Sequence, residues 1–321
     1  MKIELNTNVL PDTQVPSENL DIEYGKVRRV IKFPNGDKIV LIVSDQISAF
    51  DCILPRLIPH KGQVLNYIAN HMLEAVKDRT DVPVWLDYTI GPNISVGKRC
   101  EPIKLEMVIR GYLLGHAWRE YKAGKRTICG VPMPDNMKEG DRFPHPIITP
   151  ATKAEEGEHD EDISAIDILE QGIVSRSQWE ILCDHTRTLF ELGTDMSAEQ
   201  GLILADTKYE FGLYEGEIIL IDEIHTPDSS RYMIAAGYKN RQVRGLKQEQ
   251  LSKEFVREWL MKRGFQGKEG QTVPDMPDSF VQEVSDKYVD LAKRITGKDM
   301  VLKSITQKDV VDAIKYISPS Y

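Results

Sequence analysis

The spacing of hydrophobic residues changes period several times along the chain, and each change predicts a different element. The apolar runs within residues 24–33 and 38–45 flank Asn35-Gly36, a strong signal for a β-hairpin. Residues 62–79 follow a helical period instead, because apolar side chains recur on one face, namely Val64, Leu65, Ile68, Met72 and Val76. Two further short strands are predicted within residues 82–90 and 100–111.

The second half of the chain is predicted to be mixed. Residues 129–162 hold five prolines and many charges, which predicts a long loop that is functional or disordered. A capping box at Ser177–Glu180 predicts the start of a helix whose apolar positions are Ile181, Leu182, Leu189 and Phe190. Residues 202–205 and 218–221 indicate two buried strands. The remainder is expected to be mainly helix, with apolar stripes at Leu251, Phe255, Trp259, Phe280, Val284, Tyr288 and Leu291.

A sheet-rich first third followed by a helix-rich last third predicts an α+β fold, and 321 residues suffice for two lobes. The composition, 41% hydrophobic and 28% charged, is ordinary for a globular protein. A net charge of -9 argues against a nucleic-acid surface, but it allows a local basic pocket for small anions. The four cysteines form no CxxC pair, and no signal-like or membrane-length apolar run is present. We therefore expect a cytoplasmic protein without membrane or nucleic-acid partners.

The predicted strand pair at residues 202–221 carries charges that would be costly to bury without a purpose. Asp206, Lys208 and Glu210 are two residues apart and so share one face of a strand. A three-residue loop centred on Gly216 would place Asp222 opposite Glu210, giving two carboxylates suited to Mg²⁺. A two-residue loop would pair Glu210 with residue 221 and send Asp222 to the other face. We favour the metal site over the alternative, a solvated face with alternating charges.

Other segments are weaker candidates, each with an ordinary structural alternative. Arg231 and Asp228 lie in HTPDSSR, where arginine suits bidentate phosphate binding, although an Asx-type turn with a surface arginine explains the segment equally simply. Lys26 follows a glycine, as in loops over nucleotide phosphates, but this pairing is common. Residues 44–51 and 149–153 are polar segments next to apolar runs, and Arg110 ends a strand as an anion anchor or a structural ion pair.

Taken together and in this order, these segments resemble the phosphoribosylaminoimidazole-succinocarboxamide synthase (SAICAR synthetase) family of purine biosynthesis. The resemblance covers nearly the whole chain, through GKVRRVI, SDQISAFD, KGQVLN, EMVIRGYLLG, TPATKAEEGEHDEDIS, LADTKYEFG and DEIHTPDSSR, the last two being the most specific. It implies a two-lobed fold similar to protein-kinase or ATP-grasp arrangements. The nucleotide would lie between a small β-rich ATP-binding lobe, residues 1–108, and a larger mixed lobe, residues 109–321.

The resemblance also implies a reaction, in which ATP drives the joining of L-aspartate to the carboxylate of carboxyaminoimidazole ribotide (CAIR), giving SAICAR, ADP and phosphate. A carboxylate is a poor electrophile, so an acyl phosphate intermediate is expected. ATP and Mg²⁺ are the implied cofactors, and either a monomer or a homo-oligomer is compatible with the family. Many relatives carry serine where this chain has His116. Either the imidazole replaces that phosphate contact, or the phosphate is held otherwise.

Roles carried over from the family fall into four groups. Lys26 would lie on the ATP phosphates, with Glu106 and Val108 along the adenine. Glu210 and Asp222 would hold Mg²⁺. Asp206 and Lys208 would orient the reacting carboxylate or the incoming aspartate. The substrate-binding set, with Arg110 and Arg231 on the ribotide phosphate and residues 145–162 closing over the site, comprises Ser48, Asp51, Arg110, Lys153, Asp228 and Arg231.

Two other functions share part of this pattern. A small-molecule kinase would use the same metal hairpin, although the chain lacks HRD-type and DFG segments. A nucleotide-sensing protein would have the same nucleotide pocket but no catalytic activity. Release of ADP that depends on aspartate would separate the ligase from both.

Overall fold

The structure is a computed structural model that describes residues 21–33, 36–50, 52–153, 161–303, 311, 312 and 315. Its strands, in chain order, are β1 (Asp21–Tyr24), β2 (Arg28–Lys32), β3 (Lys38–Val43), β4 (Ser48–Ala49), β5 (Cys52–Ile53), β6 (Leu86–Gly91), β7 (Ile94–Lys98), β8 (Glu101–Tyr112), β9 (Thr127–Ile128), β10 (Val131–Pro132), β11 (Arg142–Ile148), β12 (Ala151–Thr152), β13 (Leu202–Tyr214), β14 (Glu217–Ile221), β15 (Ser230–Ile234) and β16 (Gln250–Leu251). Its helices are α1 (Lys61–Arg79), α2 (Gly115–Lys122), α3 (Ala165–Glu170), α4 (Arg176–Glu199), α5 (Tyr238–Val243), α6 (Glu254–Met261) and α7 (Asp278–Thr296). Among the described residues, no helix is long and apolar enough to cross a membrane.

The chain forms two compact units whose residues are interleaved in sequence. Within the described ranges, unit 1 takes residues 21–71, 85–99 and those from 253 onwards, and unit 2 takes residues 72–84 and 100–252. This division differs from the predicted boundary at residue 108, because β8 runs unbroken through that position and the C-terminal helices cluster with the N-terminal sheet.

Unit 1 is built on an antiparallel sheet in the order β1-β2-β3-β7-β6. The predicted hairpin of β2 and β3 is confirmed, with Lys32 opposite Ile39, although residues 34 and 35 at its turn lie outside the described residues. The predicted helix at residues 62–79 is also confirmed as α1, and all five of its expected apolar residues are buried. Asp45 accepts a hydrogen bond from the Gly62 N–H at 2.8 Å, which caps the helix start.

The C-terminal helices of unit 1 bury their predicted stripes only in part. Phe280, Val284, Tyr288 and Leu291 of α7 are buried as expected. In α6 the buried positions are Val256 and Leu260, whereas Leu251 belongs to strand β16 of unit 2. The expectation of one helical stripe from residue 251 is therefore wrong, because a strand pairing with β15 ends just before the helix begins.

Unit 2 is built on a larger antiparallel sheet in the order β11-β8-β13-β15-β16, with β12 on β8 and β14 on β13. Helix α4 packs across β8 and β13. Gly111 of β8 lies against Phe190 of α4, where an added Cβ would come within 3.2 Å of the ring. His185 of α4 stacks on Phe211 of β13, with ring centroids 6.1 Å apart. One face of the central sheet is thus the core beneath α4.

Two local predictions in unit 2 need correction. Residues 129–162 are not all loop, because residues 142–148 form β11, whose two prolines are tolerated at the edge of the sheet, where some N–H groups need no partner strand. Helix α4 begins two residues earlier than predicted, with a capping box of Ser175 and Gln178 in place of Ser177 and Glu180. Both pairs have the required spacing, and the earlier one extends the helix. Ile181, predicted to be buried, is 42% exposed.

Candidate functional site

The charged residues of β13 share a single face of the unit 2 sheet. Asp206, Lys208 and Glu210 alternate with side chains that face α4, among them Tyr209 and Phe211. Across the strand pair, Arg110 lies opposite Asp206, Val108 opposite Lys208, and Glu106 opposite Glu210. On the other side of β13, Arg231 of β15 lies opposite Asp206. The prediction that 206, 208 and 210 share one face is confirmed.

A first group of charges, here named the lysine–carboxylate cluster, comprises Glu106, Lys153, Lys208, Glu210 and Asp222. Glu106 and Glu210 are buried and directly opposed, a pairing that is unfavourable for two like charges. Lys208 offsets this repulsion, because its Nζ bonds to Glu106 Oε1 and lies 3.0 Å from Glu210 Oε1. Lys153 Nζ bonds to the other oxygen of Glu210. The alternative interpretation, a solvated strand face with alternating charges, is therefore excluded for Glu210.

Ionisation within this cluster follows from its packing. Burial by itself raises the pKa of the Glu210 carboxyl, but the ammonium groups of Lys208 and Lys153 outweigh it and lower that pKa to about 2. Burial lowers the pKa of Lys208, and the charges of Glu210, Glu106 and Asp222 more than reverse this, so that the pKa is raised. Both groups are therefore charged at neutral pH.

The predicted register of the hairpin is wrong. Glu210 pairs with Ile221 and Tyr214 with Glu217, which leaves a two-residue loop of Glu215 and Gly216. Both loop residues have positive φ, 52° and 85°, the conformation of a type I′ turn that suits the twist of paired strands. The argument that placed Asp222 opposite Glu210 across a three-residue loop therefore fails.

Asp222 nevertheless lies near the cluster, because of its backbone conformation and not because of the strand register. It follows the last residue of β14 and has a φ of 62°, so strand alternation no longer decides where its side chain points. Its charge raises the pKa of both Lys153 and Lys208. In the part of the chain that is described, no group of three or more His, Cys, Asp or Glu side chains is placed to hold a metal ion.

A second group, named the arginine–aspartate cluster, comprises Arg110, Asp206 and Arg231. Arg231 Nη1 lies 3.0 Å from each oxygen of Asp206, and Arg110 Nη1 lies 3.7 Å from Oδ2 of the same carboxylate. Arg110 also donates from Nε to Thr149 Oγ1 at 2.9 Å. Asp206 and Arg110 are both buried, and the ion pair of Arg110 agrees with the structural alternative left open for it. Arg231 is 18% exposed and pairs with Asp206, so it is not an exposed surface arginine. Within this cluster two guanidinium groups share one carboxylate, and the charge of the nearby Asp162 also acts on Arg110.

Several contacts around this cluster were not predicted, although His116 was singled out through the family resemblance. Gly115 has a φ of 55°, and a Cβ there would lie 2.5 Å from the Arg231 guanidinium carbon, so only glycine leaves room for this arginine. Thr149 was predicted only as part of a polar segment. His116 Nε2 lies 2.7 Å from Asp162 Oδ2, and this hydrogen bond lowers the pKa of the Asp162 carboxyl. No sequence pattern marks these contacts, because each joins residues far apart in the chain.

The remaining predicted residues are distributed over both units. Lys26, in the turn between β1 and β2, and Ser48 of β4 belong to unit 1, while Asp51 lies outside the described residues. Val108 belongs to the charged face, and its backbone oxygen accepts from Thr149 N–H at 2.7 Å. Asp228 lies in the turn 226–229, with its N–H 3.3 Å from Thr226 Oγ1. Residues 154–160 of the predicted closing loop are also outside the described residues.

The structure therefore combines an α+β fold with buried acids and bases on one face of its central sheet, a candidate site for a charged ligand. The SAICAR synthetase family model matches residues 21–273. The phosphoribosylaminoimidazole-succinocarboxamide synthases of Cytophaga hutchinsonii and Flavobacterium psychrophilum are 57% and 50% identical to this chain. The first alignment covers 85% of this chain and 87% of the relative, and the second covers 98% and 99%.

Solved structures give the same result. The SAICAR synthase of Saccharomyces cerevisiae, solved with SAICAR bound, superimposes with a TM-score of 0.76 at 30% identity, over 90% of this chain and 98% of the yeast chain. The chain therefore belongs to the SAICAR synthetase family, and its activity is that of a ligase in purine biosynthesis. The predictions of the family, of an enzyme and of an α+β fold are confirmed.

Proposed function

We propose that the chain condenses CAIR with L-aspartate, using ATP, to give SAICAR, ADP and phosphate by way of an acyl phosphate. The observation that carries this proposal is the pair of charged clusters on one face of the unit 2 sheet. One cluster has excess positive charge, suited to a phosphate, and the other combines ammonium groups with carboxylates. The relatives' names and the SAICAR bound in the yeast structure support the same reaction.

In the first step, a carboxylate oxygen of CAIR attacks the γ-phosphorus of ATP, the bond to the bridging oxygen breaks, and ADP leaves. The reacting groups are all anionic, so catalysis depends on positioning and on cations that neutralise developing charge. Lys208, held between Glu106 and Glu210, supplies such a cation at a defined place on the sheet. Arg110 and Arg231 hold the ribotide phosphate, for which the arginine–aspartate cluster has positive charge to spare.

In the second step, the aspartate amine attacks the carbonyl carbon of the acyl phosphate. The carbon–nitrogen bond forms, the carbon–oxygen bond to phosphate breaks, and the amine loses a proton. Asp206 and Lys208 are two residues apart on the same strand face, so one can orient the ribotide side and the other the reacting carboxylate. Asp228 in the neighbouring turn and Lys153 on Glu210 complete the proposed substrate contacts.

The lysine–carboxylate cluster has the donor chemistry that Mg²⁺ takes. This ion is commonly held by one or two carboxylates, with substrate phosphates and water completing the octahedron, so a complete protein cage is not required. Glu210 and Asp222 would hold it, and each Glu210 oxygen retains a lone pair beside its lysine contact. When bound, Mg²⁺ would supply positive charge that offsets the negative charge of the phosphates.

The nucleotide contacts are assigned by family resemblance. Lys26 would lie on the ATP phosphates, and Glu106 and Val108 would line the adenine. Ser48 and Asp51 would contact the ribotide substrate. The Glu106 carboxylate already bonds to Lys208, so other atoms of Glu106 would make its contact with the adenine. A cytoplasmic location belongs to the same proposal.

The test is an assay that couples ADP release to a visible readout, run with and without aspartate and CAIR. We expect ADP release only when both are present, with SAICAR formed in equal amount. Release of ADP with CAIR alone, leaving a stable phosphorylated product, would favour the kinase. Tight ATP binding with no turnover in the complete mixture would favour a nucleotide-sensing protein.

A further inference from the structure

Behind the charged face, His225 occupies a buried place that the proposed mechanism does not use. The residue is 2% exposed, and burial lowers the pKa of its imidazole to about 3, so the ring is neutral at physiological pH. Its Nε2 lies 2.9 Å from the Tyr209 hydroxyl, on the α4-facing side of β13. Its backbone oxygen accepts a hydrogen bond from the Tyr232 hydroxyl at 2.5 Å. His225 thus joins β13 and β15 at the start of the HTPDSSR segment.

Three features at this place disfavour folding. His225 has a φ of 59°, a left-handed conformation that is uncommon for non-glycine residues, although histidine adopts it more often than most. Its Nδ1 is buried without a hydrogen-bond partner in the described part of the chain. The ring fits because Gly193 of α4 has no side chain, since a Cβ there would lie 1.8 Å from the imidazole Cε1, and a glycine within a helix is itself unfavourable. An aliphatic side chain would fill the space without burying an unpaired nitrogen, so packing alone does not explain the histidine.

The segment that follows His225 is tied down along its length. The Ser229 hydroxyl accepts from Thr226 N–H at 3.2 Å, and the Ser230 hydroxyl lies 2.7 Å from Thr207 Oγ1 in the core. The next residue, Arg231, points to the other side of the sheet and meets Asp206. The chain therefore passes from an anchor behind the sheet to an arginine in front of it within seven residues.

We propose that His225 is a positioning residue, which anchors residues 225–231 to the back of β13 and thereby sets the place of Arg231 for the ribotide phosphate. This inference rests on the proposed function. Its physical basis is that a bidentate contact depends on sub-ångström placement, which a rigid support behind the sheet can provide. Removing the support should weaken ribotide binding while leaving the chemical groups in the site unchanged.

The experiment compares steady-state kinetics and urea unfolding of His225→Leu, His225→Gln and Tyr209→Phe with the wild type. We expect His225→Leu to raise KM for CAIR on the order of tenfold or more, with KM for ATP changed less than about twofold. His225→Gln, whose amide can still bond to Tyr209, should recover part of the loss. Tyr209→Phe removes only the hydroxyl and should raise the same KM to a smaller extent. His185→Leu, on α4 behind the same sheet, is the matched control and should leave KM for CAIR unchanged.

Gly193 provides an independent test. Gly193→Ala should displace the ring and raise KM for CAIR, although it touches no charged group of the site. In the double variant Gly193→Ala/His225→Ala, the new methyl occupies space that the imidazole vacates. We expect the double variant to regain stability relative to Gly193→Ala but to keep the raised KM. Recovery of both stability and KM for CAIR in the double variant would overturn the inference. So would equal changes in the KM values for CAIR, ATP and aspartate, or a wild-type KM for CAIR in His225→Leu. An inactive wild-type enzyme would instead contradict the proposed function.

Discussion

The two charged clusters lie on the same strand face, but one contains more cations than anions and the other more anions than cations. In the arginine–aspartate cluster, Asp206 faces an arginine on each neighbouring strand, so complementary charges are paired by register alone. In the lysine–carboxylate cluster, Glu210 faces Glu106, and Lys208 and Lys153, which lie at other positions, offset the repulsion. The first cluster has two cations for one anion, and the second has three carboxylates for two ammonium groups.

Under the proposed function, this difference separates two tasks. Excess positive charge on rigid, forked guanidinium groups suits the recognition of a phosphate that keeps its position throughout a reaction. Carboxylates held apart by flexible lysines form a place where a cation can enter and where charge can be redistributed during phosphoryl transfer. Variants in the second cluster should therefore act mainly on kcat, and variants around the first mainly on KM for the ribotide.

The largest effect is expected from the carboxylates of the second cluster. Glu210→Gln and Asp222→Asn should each lower kcat on the order of a hundredfold or more, because charge that stabilises the transition state is lost. Both should also raise the Mg²⁺ concentration needed for half-maximal activity. Glu217→Gln, an exposed acid of the same hairpin, is the control and should behave like the wild type. Near-normal SAICAR formation by both variants would contradict the assignment.

A substitution of Lys208 tests the role of the cations in the same cluster. Lys208→Ala should lower kcat by a factor on the order of ten to a hundred, because the cation near the reacting carboxylate is lost. Stability should also fall by about 2 to 3 kcal/mol, somewhat less than for a fully buried pair because the side chain is 34% exposed. Kinetics and urea unfolding measure the two effects. A change confined to KM for ATP would show that Lys208 serves the nucleotide.

A glycine pair sharpens the comparison at the first cluster. Gly115→Ala should raise KM for CAIR about tenfold, because the new methyl meets the Arg231 guanidinium. Gly124→Ala is the matched control, since Gly124 also has a positive φ, 100°, but no atom lies within 4 Å of its Cβ position. Both variants strain the backbone, and only the first displaces the arginine. Equal KM values for CAIR in the two variants would contradict a role of Arg231 in ribotide binding.

The final test concerns acid stability and does not depend on catalysis. The pKa of Glu210 is lowered from 4.5 to about 2 on folding, so its contribution to stability is complete above pH 4.5 and is lost as the pH falls through 2. Urea unfolding between pH 7 and pH 3 should show the stability difference between wild type and Glu210→Gln shrinking with acidity. A constant difference would mean that the lysines do not stabilise the charged carboxylate.

Predictions from sequence succeeded where local periodicity decides the outcome. The alternation of Asp206, Lys208 and Glu210 placed them on one face before any partner strand was known, and the apolar spacing of residues 62–79 defined α1. Predictions failed where two local patterns were equally acceptable. Ser175 and Ser177 both begin a capping-box sequence, and both two- and three-residue loops can be built around Gly216. The choice in each case depends on the length of element that packs best.

The sequence by itself determined the family, the main elements and the residue types that carry the chemistry, because strand and helix periods are properties of a short stretch of chain. Only the tertiary structure decided that Glu106 opposes Glu210, that Lys153 returns to the same carboxylate, and that Asp222 reaches the cluster through a left-handed backbone. It also placed His225 behind the strand whose front carries Lys208. These contacts join residues far apart in the chain, so they depend on strand register and packing and not on local pattern.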